Sequence, residues 1–585
     1  MTKPQAHSRL LRRYLVPHRR DILWGMAISF FTVVFNVAIP FIPRVVIDGL
    51  TSGDLERRAL LLWLLLYAGA AAVAVLLSYW MRQLPLRVGH AIETTIRGHL
   101  FDHLTHLDRG YYRTQHTGDL MNRLSSDVQS LGMGIGQSLM QNSRMVFVLL
   151  LTFGVMFQIC VPLAVGMLVL VPLMTVSFTW FARRIKQGHL AVQGQLSEMA
   201  SFNQETFSGI QTVKSFAVEP RWQELFQQQN KALMGVNLRM ATVQEGVRPL
   251  AAVWFAVSSV LLLMLGGRLV IQGRLTLGEL VQFNQYLLYM QWPLLSLGWM
   301  LSLMQRSWAS WSRIREVLDY EPAIADPPEE QVASVPIGGA IVFDHAGLKA
   351  GDATLLEDIC LTIPAGSRIG ITGPTGSGKT VLVSLLPRLW DVTTGAVTIG
   401  GQDVRSLPLA ALRRQIGMAE QEPTLFSDTL ANNIAFGARA LTPESILSVA
   451  DIAHLHADVE QFPDQYDTLI GERGVSLSGG QRQRTSISRA ISREPAILIL
   501  DDVLASVDTE TEAAILRKLQ PVFAARTTLL VSHRVSTLVE MDQIIVLEEG
   551  RITQRGTHSE LVQQPGYYRR LHEMQQLAAM EGELS

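Results

Sequence analysis

The sequence predicts a two-part fold, an α-helical membrane domain followed by an α/β domain built around a phosphate-binding loop. Three observations predict it. Long, nearly charge-free apolar runs crowd the first half of the chain, a Pro- and acid-rich segment interrupts it, and short apolar runs then alternate with glycine turns and helical stretches. Of the 585 residues, 48% are hydrophobic and only 17% charged, against roughly 25% charged in soluble domains. Mean hydropathy is +0.21, so water is not the only solvent. The net charge of −1 removes the polycation expected of a dedicated nucleic-acid binder. Cys160 and Cys360 lie far apart in dissimilar contexts, which leaves neither a disulfide framework nor a Cys-rich metal site; both are expected to be inert packing residues.

The apolar runs fall at 22–43, 59–81, 145–157, 159–182, 249–266 and 277–304. A helix needs about 20 residues to cross about 30 Å of hydrocarbon, so six spans are expected. The third and fourth are the clearest, because 145–181 holds no charged residue and Cys160-Val161-Pro162 offers a turn between them. The sixth carries Glu279 and several Gln, Trp and Met residues and could instead be a buried soluble helix. Lys and Arg collect before the first span, between the second and third, and after the fourth, so both termini are expected in the cytoplasm. No small-residue cleavage site follows the basic start, and the first span is expected to be kept. The long second-to-third and fourth-to-fifth connections read as polar-faced continuations of the spans.

Residues 1–310 are therefore expected to form the membrane domain, 311–338 a linker, and 339–585 the second domain. The linker is marked by 320–330, rich in Pro and acid. In the second domain a short strand, 367–372, runs into Gly373-Pro374-Thr375-Gly376-Ser377-Gly378-Lys379-Thr380, followed by an apolar helix over 381–389. The G-x-x-x-x-G-K-T spacing lets backbone N–H groups wrap a phosphate at a helix start, with Lys379 neutralising charge and Thr380 placed for Mg²⁺. A second strand, 496–500, ends in Asp501-Asp502, which sets a carboxylate at the carboxyl edge of a parallel sheet; Asp501 is read as the magnesium-side acid.

Between them, Leu477-Ser478-Gly479-Gly480-Gln481 opens another helix, and taken alone it is a capping motif. Together with Gln421, Asp508 and His533 at their relative positions, these motifs make residues 341–575 resemble the cassette of ATP-binding cassette (ABC) transporters. Six spans before one cassette resemble an ABC exporter half-transporter, of the multidrug type, over nearly the whole chain. The resemblance implies a helical subdomain in the cassette, with ATP and Mg²⁺ as ligands. It implies also a dimer in which the phosphate loop of one subunit and the Ser478–Gln481 segment of the other enclose each ATP. By the same resemblance Gln421 senses Mg²⁺ and links to the membrane domain, Asp508 lies in the aspartate loop, His533 contacts the terminal phosphate, and Asp502 polarises the attacking water.

Two departures from the family pattern stand out. Asp502 occupies a position where the family usually has Glu; its carboxylate is one methylene shorter, and a misplacement of about 1 Å costs on the order of a hundredfold in rate. The expected adenine-stacking aromatic falls at about Ala350. Both weaken the site on this chain's own loop while leaving Leu477–Gln481 intact for a partner, so a second, different half-transporter is the expected partner. A homodimer and an exporter-fold importer of the siderophore kind remain open.

Two segments resemble the family's coupling regions, 112–127 with Gly118, Asp119 and Arg123, and 205–216 with Glu205 and Gly209. Polar residues in lipid are costly and should face a wet cavity or the partner. Glu245, Arg248, Glu279, Trp292 and Trp299 are accordingly expected at a substrate cavity, for hydrophobic or amphiphilic drugs, lipids or peptides. The plasma membrane, the inner one in a bacterium, is the expected location, with membrane lipid as a further partner.

Overall fold

Hydrocarbon offers backbone N–H and C=O groups no partners but each other, and the described residues of the first half of the chain are helices joined by short turns. The computed structural model describes residues 12–53, 55–328, 339–438, 441–471 and 477–583. It divides into two units, one of Met1–Thr105 and Gln115–Tyr320, the other of His106–Thr114 and Glu321–Ser585. The part of the expected linker at 329–338 lies outside the described residues.

The membrane unit comprises α1 (Arg19–Ala38), α2 (Phe41–Ser52), α3 (Arg57–His106), α4 (Val128–Ile159), α5 (Val161–Ser208), α6 (Glu219–Glu245), α7 (Val247–Leu261) and α8 (Leu277–Leu318). α3 and α5 run for 50 and 48 residues, about 70–75 Å at 1.5 Å per residue, so both extend well past a bilayer. Extended backbone at Cys160, with Pro162 in the first turn after it, separates α4 from α5.

Five helical stretches are long and apolar enough to cross a membrane: Arg12–Ser52, Arg57–His106, Thr117–Ile159, Val161–Ser208 and Glu219–Ile271. The expected sixth, α8, is one continuous helix of 42 residues but is not among the five within the described residues. Side chains at 294, 295, 297–299 and 301 of that helix lie outside the described residues. Gln282 is 1% exposed and donates from Nε2 to the Tyr286 hydroxyl at 2.9 Å, and that hydroxyl donates to the Val37 carbonyl at 2.8 Å. Around this ladder pack Val33, Phe153, Met156, Leu163, Phe283 and Met290.

α3 and α4 meet backbone to backbone. A Cβ at Gly89 would lie 2.8 Å from the Gly132 carbonyl oxygen, one at Gly132 2.7 Å from that of Gly89, and one at Gly136 2.3 Å from that of Pro85. Small residues spaced in this way let membrane helices approach until main chains touch. Toward the C-terminal end of α8, Arg313 grips the buried Asp127 from two nitrogens, Nε at 2.8 Å, and Ser310 adds a hydroxyl at 2.9 Å.

The second unit holds two sheets. The first is antiparallel, in the order β2 (Ala353–Ile363), β1 (Ile341–Ala350), β4 (Thr394–Ile399), β5 (Gln402–Asp403). The other runs β10 (Arg551–Gly556), β9 (Gln543–Glu548), β3 (Arg368–Thr372), β8 (Thr527–Val531), β7 (Ile497–Asp501), β6 (Ile416–Ala419). Its strands are parallel except β10, and β3, β7 and β8 are buried almost end to end, as sheets covered on both faces require. The helix after the phosphate loop, α9 (Lys379–Ser384), stops five residues short of the expected 389, and 385–389 continue as tight turns.

The short helix Arg109–Thr114 clusters with this second unit, its Arg113 guanidinium 5.4 Å from the centre of the Trp390 ring. Cys360 is exposed, against the expectation that it packs in a core, because the alternation of β2 buries Ile359, Leu361 and Ile363 and leaves Cys360 on the outer face; Cys160 is half-buried.

Gly136→Ala should force α3 and α4 apart at a loss of about 1–3 kcal/mol, the usual strain of overpacking. Thermal unfolding in detergent should show a fall of several degrees, whereas Gly154→Ala, whose Cβ meets nothing within 4 Å, should leave the transition in place.

Candidate functional site

The phosphate loop joins β3 to α9, and its shape rests on glycine. Gly373, Gly376 and Gly378 have φ of +147°, +82° and +99°, values that side chains disfavour. At Gly373 space alone forbids any other residue, since a Cβ would sit 1.9 Å from the Leu547 carbonyl oxygen. Thr375 and Gly376 are exposed at the crown, Pro374 is half-buried, and Ser377 is buried. Lys379 is 7% exposed and donates from Nζ to the carbonyls of Gly373 at 2.9 Å and Pro374 at 2.8 Å. Burial lowers its pKa, against the pull of Asp502 and Asp501.

Register brings the acids and the histidine to the same edge. Ile371 and Asp501 both pair with Val531, so β3, β7 and β8 end level and release the loop, Asp501-Asp502 and Ser532-His533 side by side. Asp501 is 1% exposed, and burial raises its pKa although the Thr380 hydroxyl bonds the carboxyl. Its Oδ1 has no hydrogen-bond partner. An ionisable oxygen left bare in this way, beside a threonine hydroxyl, is the donor set a hard divalent cation takes.

Asp502 has φ +50°, a sparsely populated conformation for a side-chain-bearing residue and one that clusters at functional sites. Its N–H donates to the Val531 carbonyl at 3.0 Å, and its Oδ2 lies 3.4 Å from Nε2 of the exposed Gln421. Burial raises the Asp502 pKa, opposed by His533, Lys379 and Arg534. Burial and Lys379 lower that of His533, opposed by Asp502. His533 is held from behind by a residue that sequence reasoning missed: Gln575 of the C-terminal helix Tyr567–Glu583 donates from Nε2 to the His533 carbonyl at 2.7 Å and accepts the Val535 N–H at 2.9 Å. A lone glutamine in a polar helix gives no sequence signal for that role.

Ser478 caps α10 (Gly479–Ile491): its Oγ accepts the Gln481 N–H at 3.2 Å, and Gln481 Oε1 accepts the Ser478 N–H at 3.0 Å. Gly479 and Gly480 face Ser506, whose carbonyl would lie 3.3 Å from a Cβ at 480. Asp508 caps α11 (Thr509–Ala524) through Oδ1 on the Thr511 N–H at 2.9 Å, which lowers its pKa. Among the described residues no hydrogen bond or ion pair joins Ser478–Gln481 to Gly373–Thr380. Ala350 ends β1, paired with Ala353.

Of the expected coupling residues, Gly118 and Asp119 are exposed in the helix Thr117–Asn122, whereas Arg123 turns into its own unit, 3.3 Å from Glu316. Glu205 is exposed, its carbonyl accepting the Gly209 N–H at 2.9 Å, and Phe207 and Phe216 flank that turn 71% and 74% exposed.

The expected substrate residues fare unevenly. Glu279 closes a capping box with Thr276 at the start of α8 and pairs with Arg44 at 2.8 Å, a local need of the helix end that the polar-residue argument did not anticipate. Glu245 and Arg248 are exposed beside Gly246, where α6 gives way to α7. Trp292, 78% exposed, borders a cleft with Arg82, Gln141, Arg144 and Tyr289, while the Trp299 side chain lies outside the described residues. Arg82 and Arg144 were missed because each lies at the polar margin of an apolar run.

A family model described as ABC transporter transmembrane region matches residues 22–294, and one described as ABC transporter matches 356–505. The chain is 34% identical over 569 residues to the Multidrug resistance-like ATP-binding protein MdlA of Escherichia coli, covering 96% of this chain and 95% of that one. It is 33% identical over 570 residues to the Uncharacterized ABC transporter ATP-binding protein YknU of Bacillus subtilis, covering 97% of each. To the ATP-dependent lipid A-core flippase of Desulfotalea psychrophila it is 33% identical over 491 residues, 84% of this chain and 85% of that one. A solved bacterial Atm1-family ABC exporter with ATP bound matches with a TM-score of 0.79 at 25% identity, covering 95% of this chain and 98% of that one.

Gly373→Ala should displace the loop from Leu547 and weaken nucleotide binding by on the order of tenfold or more, read by titration of a fluorescent ATP analogue. Gln575→Ala should lower the ATPase kcat several-fold with KM for ATP near its original value, because it loosens the His533 loop and leaves the phosphate loop untouched.

Proposed function

Since the chain belongs to the ABC transporter family as an exporter-type half-transporter, an integral membrane protein that couples ATP hydrolysis to transport, we propose that it works as one half of an asymmetric pair. The observation that carries this is Asp502, a carboxylate one methylene short at the end of β7, beside a Ser478–Gln481 cap that is fully formed. The chain's own site is then the weak one, and its Ser478-Gly479-Gly480-Gln481 segment completes a stronger site on the phosphate loop of a different half-transporter.

In this reading residues 373–380 cradle the ATP phosphates, Lys379 neutralises them, and His533, its pKa lowered by burial, hydrogen-bonds the terminal phosphate. Thr380, Asp501 and Gln421 hold Mg²⁺, which supplies charge neutralisation to the phosphates. Asp502 orients the water from too far back, and Asp508 shapes the contact between cassettes. Residues 1–310 form the membrane domain with α8 as its sixth span, 311–338 the linker and 339–585 the cassette, with both termini cytoplasmic. The exposed turns around Gly118-Asp119 and Glu205–Gly209, the latter with its bare Phe207 and Phe216, carry cassette motion to the helices.

Drug or lipid amphiphiles are the proposed cargo. The cleft supports this, since Arg82 and Arg144 offer charge beside the adaptable, amphipathic Trp292 and Tyr289.

Purified alone, the chain should hydrolyse ATP slowly, and Asp502→Glu should raise its rate about tenfold or more. Gentle extraction from the native membrane should bring down a second half-transporter with Glu at this position. Recovery of this chain only, as a dimer whose rate Asp502→Glu leaves unchanged, would sink the asymmetric reading in favour of a homodimer.

A further inference from the structure

The pairing of β1 with β2 slips three times, and the first two slips lie side by side. Between the pairs Phe343–Leu361 and Ala346–Ile359, Asp344 and His345 stand opposite Cys360 alone. Between Ala346–Ile359 and Leu348–Leu356, Glu357 and Asp358 stand opposite Gly347 alone. The two bulges are on opposite strands, and each holds a non-glycine residue in the left-handed region, His345 at φ +46° and Asp358 at φ +54°. Bulges re-aim side chains, and here they turn three onto one spot. His345 Nδ1 lies 2.6 Å from Asp358 Oδ1 and 3.4 Å from Cys360 Sγ, and Sγ lies 4.0 Å from Oδ1. The third strand accommodates the arrangement through Gly395, where a Cβ would come within 2.2 Å of the His345 carbonyl oxygen.

An imidazole, a thiol and a carboxylate, all exposed and with ligand atoms within 4.8 Å of one another, are a mixed N, S and O set. Ligands of a tetrahedral zinc at about 2.0–2.3 Å stand about 3.3–3.8 Å apart, close to two of the three separations. The His345–Asp358 hydrogen bond must open to admit an ion, and the exposure of both side chains, 70% and 63%, leaves them free to turn. Hard cations such as Mg²⁺ prefer all-oxygen sets, whereas thiolate with imidazole selects zinc and its chemical neighbours. The geometry points to a surface site for a zinc-class divalent ion on the antiparallel sheet, held by His345, Asp358 and Cys360 with a fourth position for water. It shares no residue with the phosphate loop, and a bound ion would pin the two bulges together.

The test uses the full-length, tag-free protein in detergent without nucleotide, carrying Cys160→Ser so that Cys360 is its single thiol. Titration with Co²⁺ should raise a thiolate-to-cobalt charge-transfer band that saturates at one ion per chain and is bleached by Zn²⁺. Cys360→Ser should abolish the band, and His345→Ala and Asp358→Asn should each weaken binding by on the order of tenfold or more, with ATP binding retained as proof of a folded cassette. A second measurement needs no change at the bulges: micromolar Zn²⁺ should protect Cys360 from a thiol reagent in the Cys160→Ser protein. No band and no protection, or a band indifferent to His345→Ala, would overturn the site and leave an ion pair beside a thiol.

Discussion

The nucleotide site hangs on one clearance, the passage of the chain at residue 373 under the Leu547 carbonyl. Because nothing larger than hydrogen fits there, β3 can end flush against β9 and the loop can begin at once. β3 sits between β9 and β8, with β7 beyond, so the level ends of three adjacent parallel strands present one lysine, two carboxylates and one histidine at a single edge. Parallel sheets collect chemistry at their carboxyl ends for this reason. Without the close approach at Gly373 the same residues would be spread along a longer connection.

Burial then sets the electrostatics. Each of the four groups is driven toward its neutral form, Asp501 and Asp502 upward and Lys379 and His533 downward, while their mutual attractions resist. Such a site has much to gain from a polyanion arriving with a divalent cation, because both restore the charged forms that the sheet disfavours.

What was legible in the sequence was whatever a local pattern encodes. The phosphate loop, the strand ending at Asp501 and the cap at Ser478 each combine turn chemistry with a neighbouring apolar run, and the structure has all three. Contacts between residues far apart in the chain left no such trace. Gln575 reaches His533 across 42 positions, and Glu279 meets Arg44 across 235. Glu279 was read as a costly polar group that should face the partner or a wet cavity, and neither its capping box with Thr276 nor its pairing with Arg44 was visible in that reading. Cys360 was expected to pack because it has no cysteine partner nearby in the chain, yet the alternation of β2 that buries Ile359, Leu361 and Ile363 sets it on the outer face.

The seam of Gly89, Gly132 and Gly136 bears on how the membrane helices can work. Two helices in main-chain contact have no side-chain cushion between them to shear, and each carbonyl oxygen sits in the hollow left by the other's missing Cβ. α3 and α4 are thus locked at this one crossing, where 85–89 meets 132–136, and sliding there would drive carbonyl oxygens out of their hollows, so relative motion of the two helices is easier away from the crossing than across it.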